Sequence, residues 1–594
     1  MGRLLLTNNN NWRNAITKVF DIFFDKSFEA VNDNYYAASY RKLNINNVNS
    51  YSIDDRFIVC TGTIIYKQLW GETALKELLL DSESMSVKEI RENTIGSYAV
   101  VIKNSKRITA FIDETHTYFL YYHFDGVNFL ISNSCWHIAH AIGVEVNDAP
   151  LLEMGVRRCI MSNQTQYKRI YKLSATECFK YDLITGEKSI EKVQLNDYKQ
   201  DFSSRSEAVT YLVNAIKELS GIRSKYIKKY HHFLTGGIDS RLELAINVFN
   251  SDNIQLGYWM GQDLITNGTP EDASIVTSVG EDLGLSHCIY DVSEEFSDAL
   301  SNISVENCMK YGDYASIYAG NKKWFEIFES LSQVDAVGFG YLGESMRPLG
   351  ELDEQYHENF TVDDYIKGVY CRCGLEKEMF RLEGFYEFIR NEIEPLIILN
   401  NGNEFSLSKD IAFKLFSYSR FEADCLLNNF GNLFVYSFPI LGSKKISDAI
   451  FSLNYDWLND DYMSIRIIEE LAPRLLDYPI YSHHRTFLYN KSTSTMVESF
   501  KYHLLDTMKS KFKDTFIYKT IYLKYAHKYI RPQSRNNEEI MKQCARTISN
   551  MTILDKTEIN AGDLSLWKGG DMGSIATFIA DLLVISINME GSNK

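Results

Sequence analysis

The chain has 594 residues, 45% hydrophobic and 13% aromatic, with only 8 Pro; this is a folded globular composition too long for one ordinary core, so two or more domains are expected. A formal net charge of −16 and a pI near 5.4 repel a polyanion overall, and no nucleic-acid partner is expected. The ten Cys are scattered without metal spacing, Cys371-x-Cys373 lacking a second pair, and read as free thiols of a reducing cytoplasm.

No basic-then-apolar signal segment precedes the first elements. Over the first two hundred residues, short alternating segments at 56–60, 97–102, 107–112 and 128–132 read as strands, and 73–80 and 86–92 carry helical patterns. Strands and helices in runs predict an α+β sandwich. A polar, charged linker is expected at 196–206, then a helix at 207–219. The basic stretch Lys225-Tyr226-Ile227-Lys228-Lys229 reads as a solvated helix face.

His231 to Leu234 is short and strand-like, and 242–249 has a helical apolar pattern. Between them runs Leu234-Thr235-Gly236-Gly237-Ile238-Asp239-Ser240-Arg241. Two glycines let backbone approach a ligand, and the following helix points its free N–H groups and positive end into the turn, which makes an anion site. Thr235 and Ser240 add hydroxyls. Asp239 belongs there if a metal ion separates it from the anion, and a phosphate chain carrying Mg²⁺ satisfies all these features together. A tight turn with a capping Asp or Ser is the plainer alternative; the GxxxxGK[ST] phosphate loop is excluded by spacing and by the missing Lys.

Strands at 254–260 and 285–290 flank a helix at 272–283, so the second half predicts a parallel α/β sheet with ligands at its carboxyl edge. His287 reads as a core or strand-end residue. A second glycine-rich stretch, Val337-Gly338-Phe339-Gly340-Tyr341-Leu342-Gly343-Glu344-Ser345, follows. Near the end, 575–587 is apolar but contains Asp581 and is too short to span a bilayer; it reads as a buried helix, and no membrane insertion is expected. Residues 509–529 read as a helix with a basic face.

The first loop resembles the S/T-G-G-x-D-S signature of the PP-loop ATPases. Gly62-Thr63-Ile64-Ile65-Tyr66, Gly96-Ser97-Tyr98-Ala99, Asp113-Glu114, Leu120-Tyr121-Tyr122 and Ile131-Ser132-Asn133-Ser134 follow one another as in the glutaminase domain of the asparagine synthetases. The resemblance implies an Ntn-type, glutaminase-like α+β sandwich over 1–200, then an α/β PP-loop ATPase domain (adenine nucleotide alpha hydrolase-like) over 201–594 with a helical C-terminal part. Active glutaminases use an N-terminal Cys; the chain begins Met1-Gly2-Arg3, with no Cys before Cys60. Glutaminase activity is therefore expected to be absent, as in the β-lactam synthetases and lasso-peptide cyclases.

The same resemblance implies ATP binding by Leu234, Thr235, Gly236, Gly237, Asp239, Ser240, Met260 and Gly340, and Mg²⁺ held by Asp239 and Glu344. Tyr341 falls where the β-lactam synthetases carry a catalytic Tyr; Glu422, near Arg420, is a guess for its orienting acid. Residues 436–442 and 466–473 resemble later family segments. Tyr481 stands where the family places a catalytic Lys, and Arg485 and Lys491 are the nearest cations to replace it.

The expectation is a ligase that adenylates a small-molecule or peptide carboxylate with ATP and Mg²⁺ for attack by an amine, in natural-product or modified-peptide biosynthesis. Partner proteins of a biosynthetic cluster and a homodimer stay open. The alternatives are an ammonia-dependent amidotransferase of asparagine or sugar-carboxylate type in surface polysaccharide biosynthesis, and a catalytically degenerate nucleotide-binding scaffold.

Overall fold

A computed structural model describes residues 2–157, 159–251, 253–262, 267–294, 296–348, 360–370, 382–399, 407–482, 485–487 and 572–591. It is a mixed α/β protein. The N-terminal half contains twelve strands: β1 (Arg3–Thr7), β2 (Lys26–Asn32), β3 (Tyr35–Tyr40), β4 (Ser50–Ile53), β5 (Arg56–Tyr66), β6 (Thr94–Lys103), β7 (Arg107–Ile112), β8 (Tyr121–Phe124), β9 (Phe129–Ser132), β10 (Tyr171–Lys172), β11 (Glu177–Asp182) and β12 (Lys188–Lys192). They form two six-stranded antiparallel sheets, ordered β10-β8-β9-β1-β3-β2 and β12-β11-β7-β6-β5-β4.

Period-two alternation explains the layering. Leu4 and Leu6 of β1 meet Phe57 and Val59 of β5 between the sheets. Leu5 faces the other way, into the core shared with Ile16 and Phe20 of helix Asn10–Phe23. Ile58 and Cys60 turn outward onto Leu75 and Leu78 of helix Gly71–Asp81. Helix, sheet, sheet and helix thus stack in four layers. Every strand segment read from the sequence is present; β1 to β4, β8, β10 to β12 and the helices Asn10–Phe23, Cys135–Ile142 and Asp148–Arg157 are additional.

The second half holds a parallel sheet of β13 (Tyr230–Phe233), β14 (Ile254–Gln262), β16 (Ser286–Asp291), β17 (Ala336–Gly338) and β18 (Tyr436–Ser437). Their spatial order is β16-β14-β13-β17-β18, with the short β15 (Asn267–Gly268) antiparallel to the end of β14. The stretch Lys225 to Lys229 is not a helix face. Helix Arg205–Arg223 ends before it, and the N–H groups of Lys228 and Lys229 donate to Asp335 Oδ2 at 2.9 and 3.0 Å. An acid that caps a turn removes those donors from any helix ladder.

The long helix Lys409–Phe434 joins the halves. Its Asn429 accepts from Phe119 N at 3.0 Å and donates to Thr117 O at 3.0 Å, and Asn428 Nδ2 donates to Ser97 Oγ at 2.7 Å. Lys42, fully buried from the other side, donates to Asn432 O (2.6 Å), Asn432 Oδ1 (3.0 Å) and Val435 O (2.8 Å). Helix Met572–Gly591 packs back on the N-terminal half, with Trp136 Nε1 donating to Val584 O at 3.1 Å and Ile579, Leu582 and Ile585 buried. Among the described residues no helix is long and apolar enough to cross a membrane.

Burial pushes the Lys42 amine from 10.5 down to about 7. Between those values the unfolded chain binds more protons, so the contribution of Lys42 to stability rises with pH. Comparison of urea midpoints for wild type and Lys42→Met at pH 7 and pH 9 checks this. The wild type is expected to gain on the variant by about 1.4 kcal/mol per pH unit; a constant difference would mean that the buried amine stays charged throughout.

Candidate functional site

From β13 the chain moves outward through β14 to β16, then returns to the other side of β13 for β17 and β18. The loops leaving β13 and β17 therefore open side by side at the point where the winding reverses, which is where open α/β sheets bind ligands.

The first loop runs straight into helix Ile238–Val248. Thr235 N–H donates to Ser240 Oγ at 3.0 Å, the two hydroxyls lie 2.9 Å apart, and Gly237 N–H donates to Thr235 Oγ1 at 3.2 Å. These bonds tie the loop to the first helical turn. Gly236 N–H donates to Asp272 Oδ1 at 3.1 Å. No side chain caps the helix at Gly237, so its positive end is left to the loop. Buried Arg241 donates to the carbonyls of Leu475, Tyr478 and Pro479 at 3.1, 2.8 and 2.6 Å, fixing the segment that leads into β19 (Ile480–Ser482) beside this helix.

The second loop is pressed onto the first. A Cβ at Gly340 would lie 2.4 Å from Ser240 N and 2.7 Å from Ser240 Cα. A Cβ at Gly343 would lie 2.6 Å from Asp239 Cβ and 2.7 Å from its Oδ1. Only glycine permits this approach. Between them Leu342 adopts φ 64, a left-handed conformation costing a non-glycine residue about 1–2 kcal/mol, and its N–H donates to Asp424 Oδ2 at 3.1 Å.

The turn Gly343–Met346 then delivers Glu344 and Arg347 to Asp239. Arg347 Nη2 lies 2.8 Å from Asp239 Oδ2 and 3.3 Å from Glu344 Oε1. Arg420 Nε lies 2.8 Å from Glu344 Oε2, and its Nη2 donates to Asp424 Oδ1 at 2.7 Å. Asp239 Oδ1 is buried without a hydrogen-bond partner among the described residues. Burial pushes the Asp239 carboxyl up to about 7, opposed by Arg347 and reinforced by Glu344, Asp461 and Asp424. Burial also works against the Glu344 carboxylate, but Arg420 and Arg347 outweigh it and hold its pKa below the usual value.

Tyr341 stacks on Phe339 with ring centroids 4.5 Å apart, and its buried hydroxyl has no partner among the described residues. Burial, reinforced by Tyr318, Asp424 and Cys425, raises its pKa well above 10. Glu422 is not its orienting acid. It is paired with Lys172 of the N-terminal half, because two helical positions rotate a side chain by about 200°, away from the face that carries Arg420 and Asp424. Asp424 is the acid near Tyr341.

Gly340 is placed against the backbone of the first loop. Met260 is half-buried further along β14, its carbonyl accepting from Val292 N at 2.9 Å; Leu234 N–H bonds Gly257 O of the same strand at 2.9 Å. His287 is half-buried within β16. Arg485 belongs to β20 (Arg485–Phe487), opposite Ser482 of β19. Lys491, Cys371, Cys373 and 509–529 lie outside the described residues. Sequence reasoning missed Arg347, Asp272 and Asp424, which no local pattern marks.

In the N-terminal half, Gly2 is sealed. Its N–H donates to Tyr40 O at 3.0 Å, and a Cβ there would lie 2.3 Å from Arg41 O. Burial pushes the thiols of Cys60 and Cys159 up to about 12 and those of Cys135 and Cys178 upward as well, which suppresses thiolate nucleophiles.

No family model matches the chain, and no curated protein does. Among solved structures, the glutamine phosphoribosylpyrophosphate (PRPP) amidotransferase from B. subtilis complexed with ADP and GMP matches at 8% identity and TM-score 0.23, over 49% of this chain and 91% of that one. A structure titled as the allosteric regulatory enzyme of purine biosynthesis matches at 9% identity and TM-score 0.22, over 48% of this chain and 65% of that one. At such scores neither likeness bears on the site.

The packing of the loops is testable by Gly343→Ala. The added methyl meets Asp239 Cβ rather than a flexible tip, so overpacking should cost about 1–3 kcal/mol, read as a lowered thermal midpoint. Gly221→Ala, in helix Arg205–Arg223 with no heavy atom within 4 Å of its Cβ position, is the control and should be neutral or stabilising. Equal midpoints for the two variants would show that the loops do not touch.

Proposed function

We propose that the protein is an ATP- and Mg²⁺-dependent ligase that adenylates a carboxylate and passes the acyl group to an amine, without hydrolysing glutamine. The observation that carries this is the meeting of Asp239 and Glu344, delivered from two different strand ends to one guanidinium nitrogen at 2.8 and 3.3 Å, beside an uncapped helix start. A phosphate-bound Mg²⁺ takes one or two carboxylates, the rest of its shell being phosphate oxygens and water. The two acids fit that demand, and the orphaned Asp239 Oδ1 would gain a partner. Bound there, the ion neutralises phosphate charge.

The chain's own groups do the remaining work. The loop N–H groups and the positive end of helix Ile238–Val248 bind and orient the phosphates. A substrate carboxylate oxygen attacks the α-phosphorus, the bond to the pyrophosphate oxygen breaks, and pyrophosphate leaves. The amine then attacks the acyl carbon, the bond to AMP breaks, and the amine proton passes to a base. Tyr341, kept protonated by burial, is a hydrogen-bond donor beside this site. The raised thiol pKa values support the loss of the glutaminase step.

One observation favours a nucleotide-binding scaffold as the second reading: Asp272 holds the Gly236 N–H and Arg347 holds both acids. Calorimetry and pyrophosphate release separate the two. Wild type should bind Mg-ATP, and Asp239→Asn should weaken binding about tenfold or more, since a charged ligand contact of about 1.5–3 kcal/mol is lost. Unchanged affinity in Asp239→Asn contradicts both readings. Binding without pyrophosphate release, across a panel of amino-acid, peptide and sugar carboxylates, leaves the scaffold.

A further inference from the structure

We infer that Arg347 is the cation of the phosphate site: it holds Asp239 and Glu344 together in the nucleotide-free protein and transfers to the phosphates when Mg²⁺-nucleotide arrives. This rests on the nucleotide reading above.

Among the described residues the Arg347 head group is ion-paired with these two acids, and Asp461 adds a further negative charge near it. Arg420, by contrast, is shared between Glu344 and Asp424, and Asp424 in turn fixes the Leu342 N–H. Arg420 is therefore committed to the turn, while Arg347 is committed to the same carboxylates that a metal would take. The turn itself is over-determined: Gly340 and Gly343 press it onto the first loop, and Leu342 is held in a left-handed conformation. Asp239 and Glu344 thus cannot drift apart, and a cation between them relieves their repulsion.

Arg347 spans the two carboxylates with a single charge, and Arg420 meets only the far oxygen of Glu344 while shared with Asp424; a divalent ion between Asp239 and Glu344 would meet both acids with two. A divalent ion held by Asp239 and Glu344 would take the carboxylate oxygens that Arg347 now pairs with, and the freed guanidinium would turn to phosphate oxygens. A guanidinium fork binds phosphate in two-pronged fashion, and Arg is suited to such exchange because it is weakly hydrated and never loses its charge. Among the described residues, Arg347 is the cation that touches both Asp239 and Glu344, so it is the one placed to help neutralise departing pyrophosphate.

The test measures binding to the full chain, with Mn²⁺ as the spectroscopic probe, in wild type, Arg347→Gln and Arg347→Lys. Arg347→Gln should bind Mn²⁺ alone about tenfold more tightly, because no internal cation competes, and Mn²⁺-ATP about tenfold more weakly, because the phosphates lose a charge-assisted pair. Opposite signs in the two titrations are the signature; a merely structural arginine would weaken both. Arg347→Lys keeps a charge but not the fork, so it should leave Mn²⁺ alone near the wild-type value and weaken Mn²⁺-ATP several-fold; this variant carries the test if Arg347→Gln does not fold. Effects of the same sign in Arg347→Gln, no effect in either titration, or full Mn²⁺-ATP affinity in Arg347→Lys overturn the assignment. A wild type that binds no Mn²⁺-ATP overturns the nucleotide reading instead.

Discussion

Everything at the site depends on how closely the loop after β17 lies on the loop after β13. The contact is made by absent side chains. Gly340 allows backbone to meet backbone at Ser240, and Gly343 allows a main chain to rest on the side chain of Asp239. Close-packed loops of this kind do not adjust by fractions of an ångström without cost. The consequence is electrostatic: two acids from strands that are far apart in sequence are locked within reach of one nitrogen, and the cluster of Asp239, Glu344, Arg347, Arg420 and Asp424 follows.

The long helix Lys409–Phe434 extends this rigidity to the N-terminal half. Over successive turns it presents Arg420 and Asp424 to the second loop, then Asn428, Asn429 and Asn432 to the strands and turns at Ser97, Thr117 and Lys42. A seam built from buried amides demands that every donor and acceptor be matched, since each unpaired one costs about 1–3 kcal/mol. The sandwich is thereby bound in one orientation to the helix that braces the site. The N-terminal half, its thiols suppressed by burial, still has a mechanical part to play.

The first loop was legible in the sequence because its requirements are local: glycines for a turn, two hydroxyls five residues apart flanking them, and a helix immediately after. The α/β alternation was legible for the same reason, as was the period-two pattern of β5 to β7 and β9. The first fifty residues were not. Leu4, Leu5 and Leu6 look like any apolar triplet until β9, more than 120 residues later, pairs with Leu5, Leu6 and Thr7. Lys225 to Lys229 was misread because the acid that takes up its backbone N–H groups, Asp335, is a hundred residues away. Arg347 and Asp424 carry no local signal; their roles arise where the loop closes on a helix some eighty residues downstream. Glu422 shows the converse, a residue close in sequence that the helix turns to the opposite side.

The most direct measurement of the central claim is a crystal structure of the full chain with Mn²⁺ and a non-hydrolysable ATP analogue, with the metal located by its anomalous signal. The account predicts a peak between the Asp239 and Glu344 carboxylates, phosphates over the N–H groups that begin helix Ile238–Val248, and the Arg347 guanidinium moved onto the phosphate oxygens. A nucleotide bound elsewhere, or Arg347 still bridging the two acids with no metal between them, would contradict it.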